Sequence, residues 1–389
     1  MADEFYAPKL VNYLHMKAGK NGIPLAGTFE LSPVCNMQCS MCYVRMTPDE
    51  IKSSGKSLRT LDEWVSLGRE AQKHGMLMLL LTGGEPFLWP DFRKLYQELK
   101  KLGLVITINT NGTLINEKVV EWLKKDPPMR LNITLYGASD QTYERLCGNP
   151  QGFTQTVQAI RLLKEAGIGV KLNCSATPRN RQDLPEIIRY AQEQELVLQV
   201  STYMFPPLRR DEESIGKNER FTSEETARVS AEVLYRQKGR EWFARHMEQV
   251  RAGEAGMSYC DEFELEEEEP NEGEQMRCRA GTSSFWITWD GRMLPCGMMN
   301  CPEAYPFRDG FEKAWDEIRI ETERIRLPAE CAACRRKEQC RACAAMVYTE
   351  TGTFERKPEY LCSIQEAYRK ACEEVWEDME GRRKRTIKI

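Results

Sequence analysis

At 389 residues, with a formal net charge of −4 and 41% apolar against 29% charged residues, the chain has room for two domains and the balance of an ordinary soluble protein. That charge offers no general attraction for nucleic acid. No apolar run approaches the roughly 20 residues of a membrane span and the first 20 residues lack a signal-peptide core, so a cytoplasmic location is expected.

From 27 to 203, short apolar runs alternate with amphipathic segments. The runs 27–31, 76–82, 104–109, 130–136, 168–174 and 196–203 have strand length, and 61–74, 91–102, 116–124, 153–166 and 183–194 have helical spacing. Gly75, Gly103 and Gly167 each stand where a helix must end before the next strand starts. Such repeats predict parallel strands joined by right-handed crossovers. Six strands fall short of the eight of a closed barrel, so the expected fold is α/β, a partial (β/α)6 TIM-like barrel open on one side. Beyond it, 222–251 reads as one long charged helix, 261–274 as an acidic solvated loop, and 284–294 as a β-hairpin turning at Asp290-Gly291. The basic stretch from Gly381 to Arg385 reads as a frayed charged terminus.

Fifteen cysteines are the anomaly, because the cytosol keeps thiols reduced and closely spaced cytosolic cysteines usually bind metal. Cys35, Cys39 and Cys42 directly follow the first predicted strand, on the face where a parallel barrel builds its active site. Three thiolates can wrap a metal cluster but cannot supply the four ligands of a cubane, which leaves one iron open to a non-protein ligand. The competing reading is a zinc knot that lacks its fourth ligand. Cys147 and Cys174 sit in apolar surroundings and read as ordinary buried thiols. The second field comprises Cys278, Cys296, Cys331, Cys334, Cys340, Cys343 and Cys362; it divides into two four-thiolate clusters once an eighth ligand is added, or into a pair of zinc ribbons.

The motif Cys35-x3-Cys39-x2-Cys42 resembles the signature of the radical S-adenosylmethionine (radical SAM) superfamily, and it does not stand alone. Gly83-Gly84-Glu85-Pro86 ends the second strand, where that family carries a Gly-Gly-Glu-Pro segment. There the glycines let backbone approach the methionine end of the cofactor, and Glu85 pairs with its ammonium. By the same resemblance Asn111, Thr134 and Asn173 end the third, fourth and fifth strands as cofactor contacts, and Arg145 pairs with the cofactor carboxylate. The family commonly has an aromatic residue before the third cysteine; this chain has Met41 there, with Tyr43 after Cys42.

The second field looks like the SPASM domain that follows the barrel in peptide- and protein-modifying radical enzymes, with Cys340-x2-Cys343 one residue shorter than the usual spacing. The resemblance implies an outer cluster on Cys331, Cys334, Cys340 and Cys362 and an inner one on Cys278, Cys296 and Cys343. The fourth inner ligand is Cys260, Cys301 or an open site, in that order. Three [4Fe–4S] clusters and S-adenosylmethionine are therefore the expected cofactors, with a flavodoxin or ferredoxin as electron donor. The expected organisation is an extension 1–26, a barrel 27–221, a linking helix 222–259, a SPASM domain 260–372 and a charged tail 373–389.

The implied reaction is removal of a hydrogen atom from a peptide or protein substrate. Sulfatase-maturing relatives place an acid directly after the hairpin cysteine, whereas Cys296 is followed by Gly297-Met298-Met299. The stretch 135–139 looks more like maturases of ribosomally made peptides. Only 34 residues precede Cys35, so a separate leader-binding domain is not expected and any leader must be read elsewhere. A sulfatase-maturase-like protein dehydrogenase, a small-molecule substrate and a non-catalytic electron carrier are the alternatives. No catalytic acid or base is assigned.

Overall fold

The amphipathic stretches start and stop where local chemistry dictates. Thr60 caps its helix by accepting the Glu63 N–H, while the Glu63 carboxylate accepts the Thr60 N–H at 2.7 Å. The same reciprocal box at Thr222 and Glu225 opens a later helix. Gly75, Gly103 and Gly167 adopt φ of 105°, 77° and 72°, so each helix reverses into the next strand without Cβ strain.

The computed structural model describes residues 8–257, 278–340 and 342–386. Its first part runs α1 (Pro8–Lys20), β1 (Ala26–Glu30), α2 (Pro48–Ser53), α3 (Leu61–Lys73), β2 (Met78–Thr82), α4 (Phe92–Lys101), β3 (Val105–Thr110), α5 (Glu117–Lys125), β4 (Arg130–Thr134), α6 (Asp140–Cys147), α7 (Gly152–Glu165), β5 (Val170–Ser175), α8 (Leu184–Glu193) and β6 (Leu198–Ser201). All six expected strands are present and pair in parallel, in the order β6-β5-β4-β3-β2-β1. This is the partial barrel expected from the repeats.

The sheet has two unlike faces. One carries Phe29, Leu81, Ile108, Ile133 and Leu172 into a single core with the helices, where Phe29 meets Trp64 at 4.9 Å between ring centroids. The alternate residues form the inner face, and several are polar. Asn132 donates to Asn109 across the β3–β4 pair at 2.8 Å, and Lys171 donates to Gln199 across the β5–β6 pair, also at 2.8 Å. A polar inner face suits a barrel that holds a ligand rather than one filled with its own side chains.

The second part runs α9 (Ser223–Lys238), α10 (Arg240–Ala252), β7 (Ser284–Ile287), β8 (Met293–Leu294), α11 (Pro306–Asp309), α12 (Phe311–Glu323), α13 (Ala329–Ala332), α14 (Lys337–Cys340), α15 (Ala344–Thr351) and α16 (Glu359–Thr386). Two expectations need correction. The single helix over 222–251 is two, broken at Gly239 with φ of 83°. The expected hairpin is present as the antiparallel pair of β7 and β8, and β7 also pairs in parallel with β1, register Ala26 to Ser284, which extends the sheet to eight strands. Pairing there covers an edge that β1 would otherwise leave open, and Phe311 and Trp315 of α12 pack on Phe285. Finally, α16 runs through the boundary drawn at 372 and continues to Thr386, so the stretch from Gly381 is helical rather than frayed. Its buried Leu361, Ile364 and Val375 join a core with Ala227 and Ala231 of α9.

Cys260 and the acidic segment 261–274 lie outside the described residues. Among the described residues no helix is long and apolar enough to cross a membrane.

Candidate metal centre and cofactor site

The loop after β1 carries Cys35, Cys39 and Cys42 and is pinned by the buried side chains of Met37 and Met41. Within it, Cys35 Sγ accepts the Met37 N–H at 3.4 Å and Cys42 Sγ the Arg45 N–H at 3.3 Å. Burial pushes the Cys35 thiol up to about 12, and the nearby Glu85 carboxyl and the other two thiols push the same way. Burial also raises Cys42, and Cys39 is raised by a hydrogen bond with the Cys147 thiol and by burial. Any metal bound here must therefore displace protons.

The glycines of the second loop serve a tighter fit than expected. A Cβ on Gly83 would stand 2.5 Å from the Ser32 carbonyl oxygen, and one on Gly84 2.3 Å from that of Val34. Gly84 and Glu85 donate their N–H groups to those same two carbonyls at 2.7 and 2.9 Å. The space the missing side chains leave is thus taken by the backbone that leads into the cysteine loop.

Glu85 is fully buried and accepts from Phe87 N–H at 3.1 Å, Asn111 N–H at 2.8 Å and the Thr110 hydroxyl at 2.8 and 2.9 Å. It knots the ends of β2 and β3, so folding depends on it as well as any ligand. Burial raises its carboxyl to about 7 from 4.5. A carboxyl raised on folding contributes stability that is full below pH 4.5 and lost as pH climbs to about 7, by up to about 3 kcal/mol. Anaerobic urea titrations of wild type and Glu85→Gln at pH 5 and pH 8 should show the wild-type advantage shrinking by that order at the higher pH. A constant difference would place Glu85 in a better solvated setting.

Asn111 donates to Asn36 Oδ1 at 2.9 Å and approaches Cys35 Sγ at 3.7 Å, which ties the third strand's end to the cysteine loop. Thr134 and Asn173 are cross-strand partners, and the side-chain oxygens of Asn173 and Asn132 are buried with no hydrogen-bond partner. Met41 is absorbed into the core rather than standing free. Arg145 is exposed and donates to Thr142 and the Arg179 carbonyl. Two cations bear on the thiols, Arg45 on Cys39 and Arg210 on Cys42, and both lower them.

Tyr43 leads to a group that spacing alone did not reveal. Arg209 grips Glu30 with both nitrogens at 2.6 and 2.8 Å, donates to the Gly297 carbonyl at 2.9 Å, and stands 5.8 Å from the Tyr43 ring centre. Trp286 adds an N–H to Glu30 at 3.0 Å. The two charged side chains are only 4% and 1% exposed. This knot joins the first cysteine loop to the backbone beside Cys296.

In the second field, Cys331, Cys334, Cys340 and Cys362 come together from α13, α14, the turn between them and α16. Burial first, and then one another's charge, push Cys331 and Cys340 up to about 11. Cys296 and Cys343 pack on one small apolar group of Met299, Ile325, Ala344 and Ala345. Cys278 and Cys296 line a cavity of about 370 Å³ with Thr28, Leu80 and Trp286. Cys301 has other company, its thiol bonding the Tyr348 hydroxyl near Glu303.

These donors fit iron–sulfur ligation. Cys35, Cys42, Cys278, Cys296 and Cys334 each accept a backbone N–H from two or three residues on, which stabilises a thiolate. The unpartnered oxygen of Asn173 fits a ligand that brings a donor into the barrel.

Residues 29–191 match the profile of the Radical SAM superfamily. An "AdoMet-dependent heme synthase" of Methanosarcina barkeri is 24% identical over 352 residues, covering 85% of this chain and 94% of that protein. A "PqqA peptide cyclase" of Granulibacter bethesdensis is 29% identical over 169 residues, covering 43% of this chain and 44% of that protein. The crystal structure of Streptococcus suis SuiB bound to precursor peptide SuiA aligns with a TM-score of 0.63 at 17% identity, over 90% of this chain and 79% of that one, a likeness of fold.

Proposed function

We propose, from the premise that residues 29–191 of this enzyme form a radical SAM domain, that it takes a hydrogen atom from a peptide substrate and matures it oxidatively in the cytoplasm. The cluster and S-adenosylmethionine would together supply a 5′-deoxyadenosyl radical. The observation that carries the reading is the buried cysteine loop at the carboxyl end of β1, with backbone N–H groups donating to its sulfurs.

On this reading Cys35, Cys39 and Cys42 hold the reactive cluster and Asn111 steadies the loop. The Asn173 oxygen accepts a hydroxyl of the cofactor, and Thr134 beside it belongs to the same wall of the site. The polar inner face holds donors and acceptors in place while the helical layer excludes water. Cys331, Cys334, Cys340 and Cys362 would hold an outer auxiliary cluster. Cys278, Cys296 and Cys343 would hold an inner one, with Cys260, Cys301 or an open site as its fourth position. A flavodoxin or ferredoxin would deliver the electron.

The likeness to a peptide cyclase supports a peptide substrate. A second reading, a haem-type tetrapyrrole, is favoured by one observation: the match to a haem synthase runs over nearly the whole of both chains. Reduced, anaerobic protein should convert S-adenosylmethionine to 5′-deoxyadenosine, read by chromatography. Turnover that rises with a candidate peptide and not with an iron tetrapyrrole supports the first reading, and the reverse supports the second. No 5′-deoxyadenosine, with stoichiometric zinc in place of iron, would overturn both.

A further inference from the structure

The polar inner face of the barrel carries a pair of amides that the cofactor contacts leave unused. Asn109 and Asn132 are register partners on β3 and β4, and Asn132 donates to Asn109 Oδ1 at 2.8 Å. That bond takes up one donor and one acceptor and leaves one of each. The Asn132 oxygen is buried without a partner, while Lys171, its neighbour on β5, sends its ammonium to Gln199 at 2.8 Å. Among the described residues nothing accepts from the Asn109 amide. Turning both amides over would exchange the parts of the two strands and still leave one donor beside one acceptor. The pair lies between two features of the barrel. Thr134 and Asn173, register partners two residues further along β4 and β5, stand in the layer assigned above to the cofactor, about 6–7 Å nearer the carboxyl ends of the strands. Thr107, two residues before Asn109 on the same face, lines the cavity of about 370 Å³ that also carries Cys278 and Cys296. Val105 and Met129 line it at the strand starts and are 36% and 50% exposed, which makes its entrance apolar. A chain that enters there and reaches the cofactor layer passes the two amides.

We propose that Asn109 and Asn132 hold one residue of an extended peptide substrate by that residue's own C=O and N–H, and so fix how far the chain reaches toward the cofactor. The inference rests on the peptide reading above. In an extended chain the N–H and C=O of one residue point to the same side, as they do toward a neighbouring strand. A donor and an acceptor standing side by side match them. A carboxylate only accepts and would meet the Asn132 oxygen unfavourably, which sets the pair against a ligand held by its acid groups. The contact is to backbone, so the pair governs depth in the barrel rather than side-chain sequence. Both are positioning residues and neither touches a reacting atom.

Binding without turnover separates this role from a structural one. The whole anaerobic protein, loaded with iron and sulfide and given S-adenosylmethionine but no reductant, is mixed with a pool of random twelve-residue peptides blocked at both ends. Peptides retained through gel filtration are identified by mass spectrometry. In the best-retained peptide each amide is then replaced in turn by an ester, which removes one N–H. One position should stand out, its ester binding roughly three- to tenfold more weakly than the parent. Asn109→Leu/Asn132→Leu removes both amides and leaves neither unpaired, the change of this pair that costs the fold least. In that variant the parent peptide should bind roughly ten- to a hundredfold more weakly, and the penalty at the sensitive position should shrink to within about twofold. Asn132→Ala loses the acceptor alone; it should erase the same penalty, and it carries the test if the double variant does not fold. An ester series with no sensitive position, or a penalty that survives in the variants, would overturn the proposal and leave the peptide reading standing. A pool from which nothing is retained would instead overturn the peptide reading and this inference with it.

Discussion

Replacing Cys35, Cys39 and Cys42 together with alanine should abolish 5′-deoxyadenosine formation while leaving roughly two thirds of the iron, about eight of about twelve atoms per chain. The other candidate ligands stand on separate elements, four of them gathered by α13, α14 and α16. Their sites do not borrow from the first loop. The loop itself should persist in the variant, because Met37 and Met41 anchor it and its backbone bonds to α6 do not involve sulfur. Iron and sulfide analysis beside a cleavage assay reads both halves of the expectation. Undiminished cleavage, or loss of all iron together, would move the reactive centre elsewhere in the chain.

Arg209→Met should destabilise the protein by about 3–5 kcal/mol, the usual cost of removing one partner of a buried ion pair. Glu30 is only 1% exposed and would keep a single N–H donor, from Trp286, against an uncompensated charge. Adding Glu30→Gln should recover most of the loss, because the double variant buries no charge. Anaerobic denaturant midpoints of the two variants give the comparison. A loss below about 1 kcal/mol in the single variant would mean that water reaches Glu30.

The barrel was legible because its chemistry is local. Short apolar runs marked six strands, and Gly75, Gly103 and Gly167 marked where three of them began. The cysteine loop and the Gly-Gly-Glu-Pro segment were legible as motifs, though not what those glycines touch. What escaped depends on partners distant in the chain. Periodicity tells which face of 284–287 is buried but not that its neighbour is β1. Glu30 and Arg209 lie 179 residues apart, and no spacing rule joins them. Cys147 could be read as apolar and buried, yet its nearness to Cys39 follows only from how α6 docks. The full length of α16 was hidden because its charges look solvated, whereas Arg228 of α9 pairs with Glu374 and Asp378.

The parallel pairing of β1 with β7 also has a consequence for biogenesis. Strand β1 is finished at Glu30, but the strand that closes its outer edge does not begin until Ser284. At bacterial or eukaryotic translation rates of about 5–20 residues per second, the nascent chain carries that open edge for roughly 10–50 s. The first cysteine loop leaves the ribosome next to it, long before Arg209 and Gly297 exist to brace the knot at Glu30. Metal loaded at that moment would be held by an unfinished frame, so insertion of the first cluster is best timed after release, when the whole chain can close around it.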